Sequence, residues 1–380
     1  MKWIVPLSDV TVGEEEVAAA SETLRSGWLT QGARVKAFED AFAAMLGVPH
    51  ALAVTNGTAA LHLAYAAASL EPGDEYIVPA LTFIATLNAG LYCGGVPVLA
   101  DCVSTQDLTL SPEDVERKIT PRTRLIVTMS YGGFCPDMPA LLEIARKHNI
   151  DLVEDASHAP LAELDGRKIG TFGLSGTFSL FSNKNMTAGE GGVVVTRDDQ
   201  VAEKVRVMRS HSMTTVTWDR HQGHAAEYDV TGLGFNYRFD ELRASVASVQ
   251  LRQLEQITQL RVQAAEGLRQ AIAVLDIEGL EIPFQNPRGK PVHHLFVILL
   301  PAGTDRPAFR KALTEAGIQT SMHYPLLHRF SGTQPLFTRD PELPVVEGFI
   351  DRLVTLPMGP HLSPEKIELI AKSIGAYFGK

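Results

Sequence analysis

The sequence predicts an α/β protein: a large domain on a doubly wound sheet of parallel β-α units, followed by a smaller C-terminal α+β domain. Three observations carry this. Short apolar runs alternate with helical patterns as far as Thr196, the pattern of strands joined by crossover helices. The alternation then stops, and residues 241–274 form one long amphipathic segment. Two strands and two helices follow it. A chain of 380 residues has material for two hydrophobic cores. The boundary is expected inside the long helix, giving domains 1–250 and 251–380.

In chain order, Thr11 and Glu14 have capping-box spacing and lead into a helix over 15–24. Residues 27–32 form a loop with two glycines and Trp28. Val35, Phe38, Phe42, Met45 and Leu46 share one side of a helix over 35–46. Residues 51–54 are a short buried strand, 55–58 a turn and 59–68 an Ala- and Leu-rich helix. Strand 76–79, helix 82–91 and strand 96–100 come next. Ser111 as N-cap, Pro112 at N1 and two acids in the first turn start another helix. Strand 125–128, helix 138–148 and strand 151–153 continue the alternation. Phe178 and Leu180 alternate with Ser179 and Phe181 as a strand. Gly189, Gly191 and Gly192 turn the chain into a strand over 193–196. Residues 200–210 read as a helix, and 213–230, with Trp218, His221 and His224, as an irregular loop. In the smaller domain we expect strand 293–300, helix 306–316, strand 320–323 and helix 364–378.

Hydrophobic residues make up 45% and charged residues 21%, the balance of a soluble globular protein. A net charge of −10 argues against a nucleic-acid partner, which usually meets a basic face. It leaves room for a local basic pocket. Cys93, Cys102 and Cys135 lack metal-ligand or redox spacing and read as buried thiols of a reducing compartment. The N-terminus is interrupted too soon for a signal peptide. No apolar run reaches the ~18 residues that span a bilayer. The expectation is a cytoplasmic protein with no membrane partner.

One lysine, Lys184, sits between the strands around 178 and 193, flanked by Asn183 and Asn185. Burial at such a place lowers an amine's pKa, and a neutral amine adds to an aldehyde. Alone, the position also suits a solvated loop lysine. Thr55 to Ala60 join a strand to a helix N-terminus, whose free N–H groups and dipole suit a phosphate. Gly57 lets the backbone approach and Thr58 adds a hydroxyl; the same turn also suits a plain capped helix. Ser179 is a second phosphate donor, or a serine facing a neighbouring strand. Asp155 follows strand 151–153, at the strand ends where ligands bind in parallel sheets. It reads as an N-cap or as the partner of a ring nitrogen. No acid or histidine set has metal-ligand spacing, so no metal is expected. A carboxylate against a pyridine nitrogen keeps it protonated and makes the ring an electron sink. His158 faces the same ligand or is structural. Phe83 stacks on a flat ring or joins the core.

Together and in order, these motifs resemble the DegT/StrS family of pyridoxal 5'-phosphate (PLP)-dependent sugar aminotransferases. The resemblance runs over about residues 8–375. It includes Gly27 to Thr30 upstream, and Asn236 to Arg238 and His323 to Pro325 downstream. It implies the PLP-dependent transferase fold type I, with a mixed, mostly parallel sheet and a small C-terminal domain. It makes Lys184 the lysine bonded to the cofactor and Asp155 its ring-nitrogen partner, the catalytic pair. It places His158 near the ring hydroxyl, Phe83 on the ring, and Gly57, Thr58 and Ser179 at the phosphate. Asn236 matches a residue that reaches the phosphate of the neighbouring subunit, which implies a homodimer with shared sites. Trp28, Thr30, His323 and Tyr324 fall where the family's substrate pocket lies. Arg238 pairs with a ligand anion or braces its loop.

The implied reaction moves an amino group from L-glutamate to a keto sugar, nucleotide-linked, cycling PLP with its pyridoxamine form (PMP). Asn183 and the 213–230 segment depart from many relatives. A dehydratase branch has His in place of the lysine, and this chain keeps Lys184. Dehydration or amination of a cyclitol ketone on the same scaffold, and a non-catalytic PLP-binding regulator, are the competing readings.

Overall fold

The computed structural model describes residues 3–215, 227–337 and 340–380. Trp218, His221 and His224 of the expected loop lie outside the described residues. The large sheet holds β1 (His50–Val54), β2 (Glu75–Pro79), β3 (Val96–Ala100), β4 (Thr123–Met129) and β5 (Asp151–Asp155). A small hairpin, β6 (Glu163–Leu164) and β7 (Arg167–Lys168), precedes its last two strands, β8 (Ser175–Ser179) and β9 (Gly192–Thr196). The strand order is β1-β9-β8-β5-β4-β2-β3. Neighbours from β8 to β3 pair in parallel, whereas β9 is antiparallel to both β8 and β1. β9 alone therefore runs against the rest. The sheet is mixed and mostly parallel, and the carboxyl ends of β1, β2, β4, β5 and β8 share one rim. That rim is where α/β sheets hold ligands.

Successive strand residues face opposite sides of the sheet, and two cores result. Tyr76, Val78, Leu125, Val127 and Val153 pack into one core, under α3 (Gly57–Ala67) and α4 (Ile84–Tyr92). Ile77, Ile126, Leu152, Val193 and Val195 pack into the other with Phe38 and Phe42. That face is covered by α1 (Glu14–Ser26), α2 (Ala33–Leu46) and later helices. Each fully buried Val, Leu, Ile or Phe contributes about 1.5–3 kcal/mol over leaving it exposed.

The first cap differs from the sequence expectation. Gly13, not Thr11, is the N-cap of α1, and its N–H donates to Glu16 Oε2 at 2.9 Å. The chain offers the three-residue spacing in two registers, and Glu16, held by Gln250 Nε2 at 2.7 Å, decides between them. The cap of α5 (Pro112–Lys118) is as expected: Ser111 Oγ accepts from Asp114 N at 3.2 Å. α6 (Met138–His148) and α7 (Asp199–Met208) complete the large layer.

α8 (Glu241–Ala273) runs unbroken for 33 residues. Its N-terminal half packs in the second core through Ala244, Ala247 and Leu254. Its C-terminal half enters a third core through Ala264, Leu268 and Ile272. β10 (Phe296–Leu299), α9 (Arg306–Glu315), α10 (Pro344–Phe349), β11 (Leu353–Leu356) and α11 (Pro364–Tyr377) follow. Val5 joins this third core and pairs with Ile318, so the N-terminal segment packs there too. No strand forms at 320–323. Ser321 makes only a bridge to Thr355, because β11, a strand the sequence reading missed, gives its ladder to β10. Among the described residues no helix is long and apolar enough to cross a membrane.

Candidate active site

The rim of the sheet opens into a pocket of about 380 Å³, lined among others by Gly57, Thr58, Phe83, Asp155, His158, Ser179, Lys184, His323 and Tyr324. These are nine of the positions singled out in the sequence, contributed by loops after β1, β2, β5 and β8 and by the segment after α9.

The β1–α3 turn builds one end. Asn56 caps α3, its Oδ1 accepting from Ala59 N at 2.8 Å and its carbonyl from Ala60 N at 3.1 Å. The amides of Gly57 and Thr58 are left for a ligand at the positive end of the helix. Gly57 is required by space: a Cβ there would lie 2.9 Å from Ser179 Cβ and 3.1 Å from Ser179 Oγ. Gly192, opposite, has no room either, since its Cβ would meet Asn56 O at 2.3 Å. The two glycines let the β1–α3 turn close against β8 and β9.

The Glu154–Asp155 pair splits across the sheet. Glu154 turns to the far face, where its carboxylate accepts from Gly170 N, Phe172 N and Gly173 N at 2.6–2.8 Å, fastening the loop that leads into β8. Asp155 turns to the pocket. Its Oδ2 accepts from Thr86 Oγ1 at 2.8 Å and its Oδ1 from Ser157 N at 3.1 Å. It is 3% exposed, so its direction is fixed.

Lys184 follows β8 on a tight turn, its N–H donating to Phe181 O at 2.9 Å. Burial pushes its ammonium down from 10.5 to about 8, against the opposing pull of Asp155. Below pH 10.5 the unfolded chain holds this proton more tightly than the folded one. The group therefore costs stability at low pH, and the cost fades as pH rises from about 8 to 10.5.

Phe83 stands at the start of α4, half exposed, 5.6 Å from the Tyr324 ring. His158 is buried beside it: Gly132 N donates to its Nδ1 at 3.3 Å, and its Nε2 meets Tyr324 Oη at 3.0 Å. Burial and the nearby Lys184 and His323 hold its pKa well below the usual imidazole range. His323 is pushed down to about 4, chiefly by burial, and its Nδ1 lies 3.1 Å from Thr355 Oγ1.

Four other positions lie off this pocket. Trp28 packs against Gly32 and its Nε1 donates to Gln31 O at 3.4 Å. Thr30 is exposed on the loop before α2. Asn236 is exposed and bridges Ser210. Arg238 Nη1 donates to Ser210 Oγ at 3.2 Å. Sequence reasoning missed Thr86, Asn185 and His294. Thr86 follows Thr82 by one helical turn, their hydroxyls 3.0 Å apart, a weak signal that only Asp155 makes meaningful. Among the described residues no His, Cys, Asp and Glu side chains group as a metal site.

A half-buried lysine, a fixed carboxylate and a turn with free amides in one pocket are what an aldehyde-bearing, phosphorylated pyridine needs. The model of the DegT/DnrJ/EryC1/StrS aminotransferase family matches residues 10–375. The chain belongs to this family. It is 34% identical over 376 residues to the spore coat polysaccharide biosynthesis protein SpsC of Bacillus subtilis (strain 168), covering 97% of this chain and 96% of that protein. Among solved structures it resembles the aminotransferase TlmJ from Streptoalloteichus hindustanus (TM-score 0.91, 31% identity, 99% of each chain). It also resembles Helicobacter pylori PseC, an aminotransferase involved in pseudoaminic acid biosynthesis (TM-score 0.91, 29% identity, 100% of each chain). S. venezuelae DesV, solved with a ketimine intermediate, matches with a TM-score of 0.88 at 32% identity over 96% of this chain and 95% of that one. The protein is an aminotransferase, and its fold is that of these enzymes.

Proposed function

We propose that the protein uses PLP to move the amino group of L-glutamate to a keto sugar carried on a nucleotide, as a homodimer with shared sites. The observation that carries it is the meeting of Lys184, Asp155 and the Gly57 turn beside Ser179 in one pocket. The sugar acceptor is supported by relatives that serve a spore coat polysaccharide and pseudoaminic acid. In this reading residues 1–250 are the cofactor domain and 251–380 the small domain, and Asn236 serves the partner's phosphate. Three free cysteines support a cytoplasmic site of action.

The residues fit PLP. The free amides of Gly57 and Thr58 and the hydroxyl of Ser179 would hold its phosphate, Phe83 its ring face, Asp155 its ring nitrogen and Lys184 its aldehyde carbon. When bound, PLP supplies that carbon and a ring that takes up an electron pair. Asp155 keeps a proton on the ring nitrogen. With the donor bound, Lys184 Nζ would be free of the aldehyde carbon and would take the proton from the donor's α-carbon and hold it for return. Burial supplies the neutral amine this needs near pH 8. One water would supply the oxygen as the donor leaves as 2-oxoglutarate with its nitrogen kept behind, and amination of the keto sugar by the reverse steps would release one water.

The test is a half-reaction. Glutamate alone should convert the loaded protein to its PMP absorbance, and a screen of keto-sugar nucleotides should restore the PLP band. A yellow protein inert to every amino acid would leave the regulator reading standing. Conversion by glutamate followed by turnover of a cyclitol ketone only would replace the sugar.

Two further results are expected. Gly57→Ala should weaken PLP binding about tenfold or more, since overpacking costs about 1–3 kcal/mol and 1.4 kcal/mol is tenfold. Fluorescence titration of the cofactor-free protein checks it, and an unchanged Kd places the phosphate elsewhere. Capture of PLP by the cofactor-free protein should rise about tenfold per pH unit up to about pH 8 and then level, as Lys184 loses its proton. Stopped-flow absorbance reads this directly; a profile still climbing at pH 10 contradicts a depressed lysine.

A further inference from the structure

The hydrogen bonds behind the pocket fix which atom offers a proton into it. Gly132 N–H donates to His158 Nδ1, so Nδ1 carries no hydrogen. An imidazole has at least one N–H, and His158 must therefore carry it on Nε2. That hydrogen points at Tyr324 Oη, 3.0 Å away. Tyr324 accepts, and its own O–H is left free of His158. Tyr324 lines the pocket.

A second set of contacts holds this arrangement from behind. Asn185, the neighbour of Lys184, donates through Nδ2 to Val292 O at 3.2 Å. Its Oδ1 is then the acceptor for His294 Nδ1, at 3.0 Å. The His294 ring lies 4.1 Å from the His158 ring, tilted by 38°. His294 N donates to Gly132 O at 2.7 Å, on the same residue whose N–H sets the His158 tautomer. Both rings are buried; burial first, then Lys184 and His323, disfavours a proton on His158, and burial first, then His158 and Lys184, disfavours one on His294.

We propose that Tyr324 is the hydrogen-bond donor to an oxygen of the ligand held beside Lys184. His158 orients its hydroxyl, and His294 with Asn185 are positioning residues. The inference rests on the PLP reading above. The acceptor chemistry is an electron-rich oxygen, and it has two sources: the ring hydroxyl oxygen of PLP or an oxygen of the amino acceptor.

Tyr324→Phe, His158→Gln and His294→Ala in the PLP-loaded protein separate these. A donor to the ring oxygen stabilises its anion, so Tyr324→Phe should raise the pH midpoint of the visible absorbance change by about one unit or more, with KM kept. If the oxygen is the acceptor's, the midpoint stays and KM for the acceptor rises about tenfold or more. Gln at 158 can still accept from Gly132 and donate to Tyr324, so His158→Gln should be impaired less than Tyr324→Phe in both readings. His294→Ala should move the same quantity as Tyr324→Phe, by less. Tyr324→Phe leaving both midpoint and KM unchanged overturns the proposal. So does a His158→Gln protein as impaired as Tyr324→Phe. Failure of the PLP reading itself is distinct: no visible band would form in the wild-type protein.

Discussion

Lys184→Ala is expected to fold, to bind PLP without covalent capture, and to lose turnover by at least about 10⁴-fold, the upper range for removing a positioned proton carrier. Lys184 performs two tasks in the proposed reaction, and alanine performs neither. The side chain is near Asp155 and His158 but braces no element, since its structural bond is made by its backbone N–H to Phe181 O. Circular dichroism should therefore match wild type while the visible band moves to that of free PLP. Exogenous small amines should restore part of the proton transfer. Full turnover with the wild-type visible band would remove Lys184 from the chemistry.

Asp155→Asn should cost on the order of 10²–10³-fold in kcat, comparable to losing one fixed electrostatic stabiliser. The amide is isosteric, and its oxygen can keep the bond from Thr86 or from Ser157. What it loses is the charge that holds a proton on the ring nitrogen. The effect should fall on kcat rather than on PLP affinity. A variant with wild-type kcat would mean that the ring nitrogen lies elsewhere. Thr86→Val should give a milder loss in the same direction, because it frees Asp155 to turn without removing its charge.

The readable parts of the site were local. Lys184 stands between two strand patterns, Gly57 in a strand-to-helix turn, and Asp155 at the end of a parallel strand. Each position could be read from its near neighbours in sequence. The parts that escaped were contacts between distant segments. Thr86 meets Asp155 across 69 residues, Asn185 meets His294 across 109, and His158 meets Tyr324 across 166. The same distinction explains the misread elements. Thr11 has the right spacing for a cap, but Glu16 is held by Gln250, 234 residues away. Residues 320–323 are strand-like, but pairing partners are assigned by packing, and β11 took the place beside β10.

The order of apolar and polar residues was enough to decide the strands of the large sheet, most helices and the rim on which ligands bind, because period and punctuation act over a few residues. The running direction of β9, the passage of the N-terminal segment into the third core, and the tautomer of His158 belong to the folded chain alone. They depend on hydrogen bonds whose donors and acceptors meet only after the sheet has formed, and no run of neighbouring residues records which groups those will be.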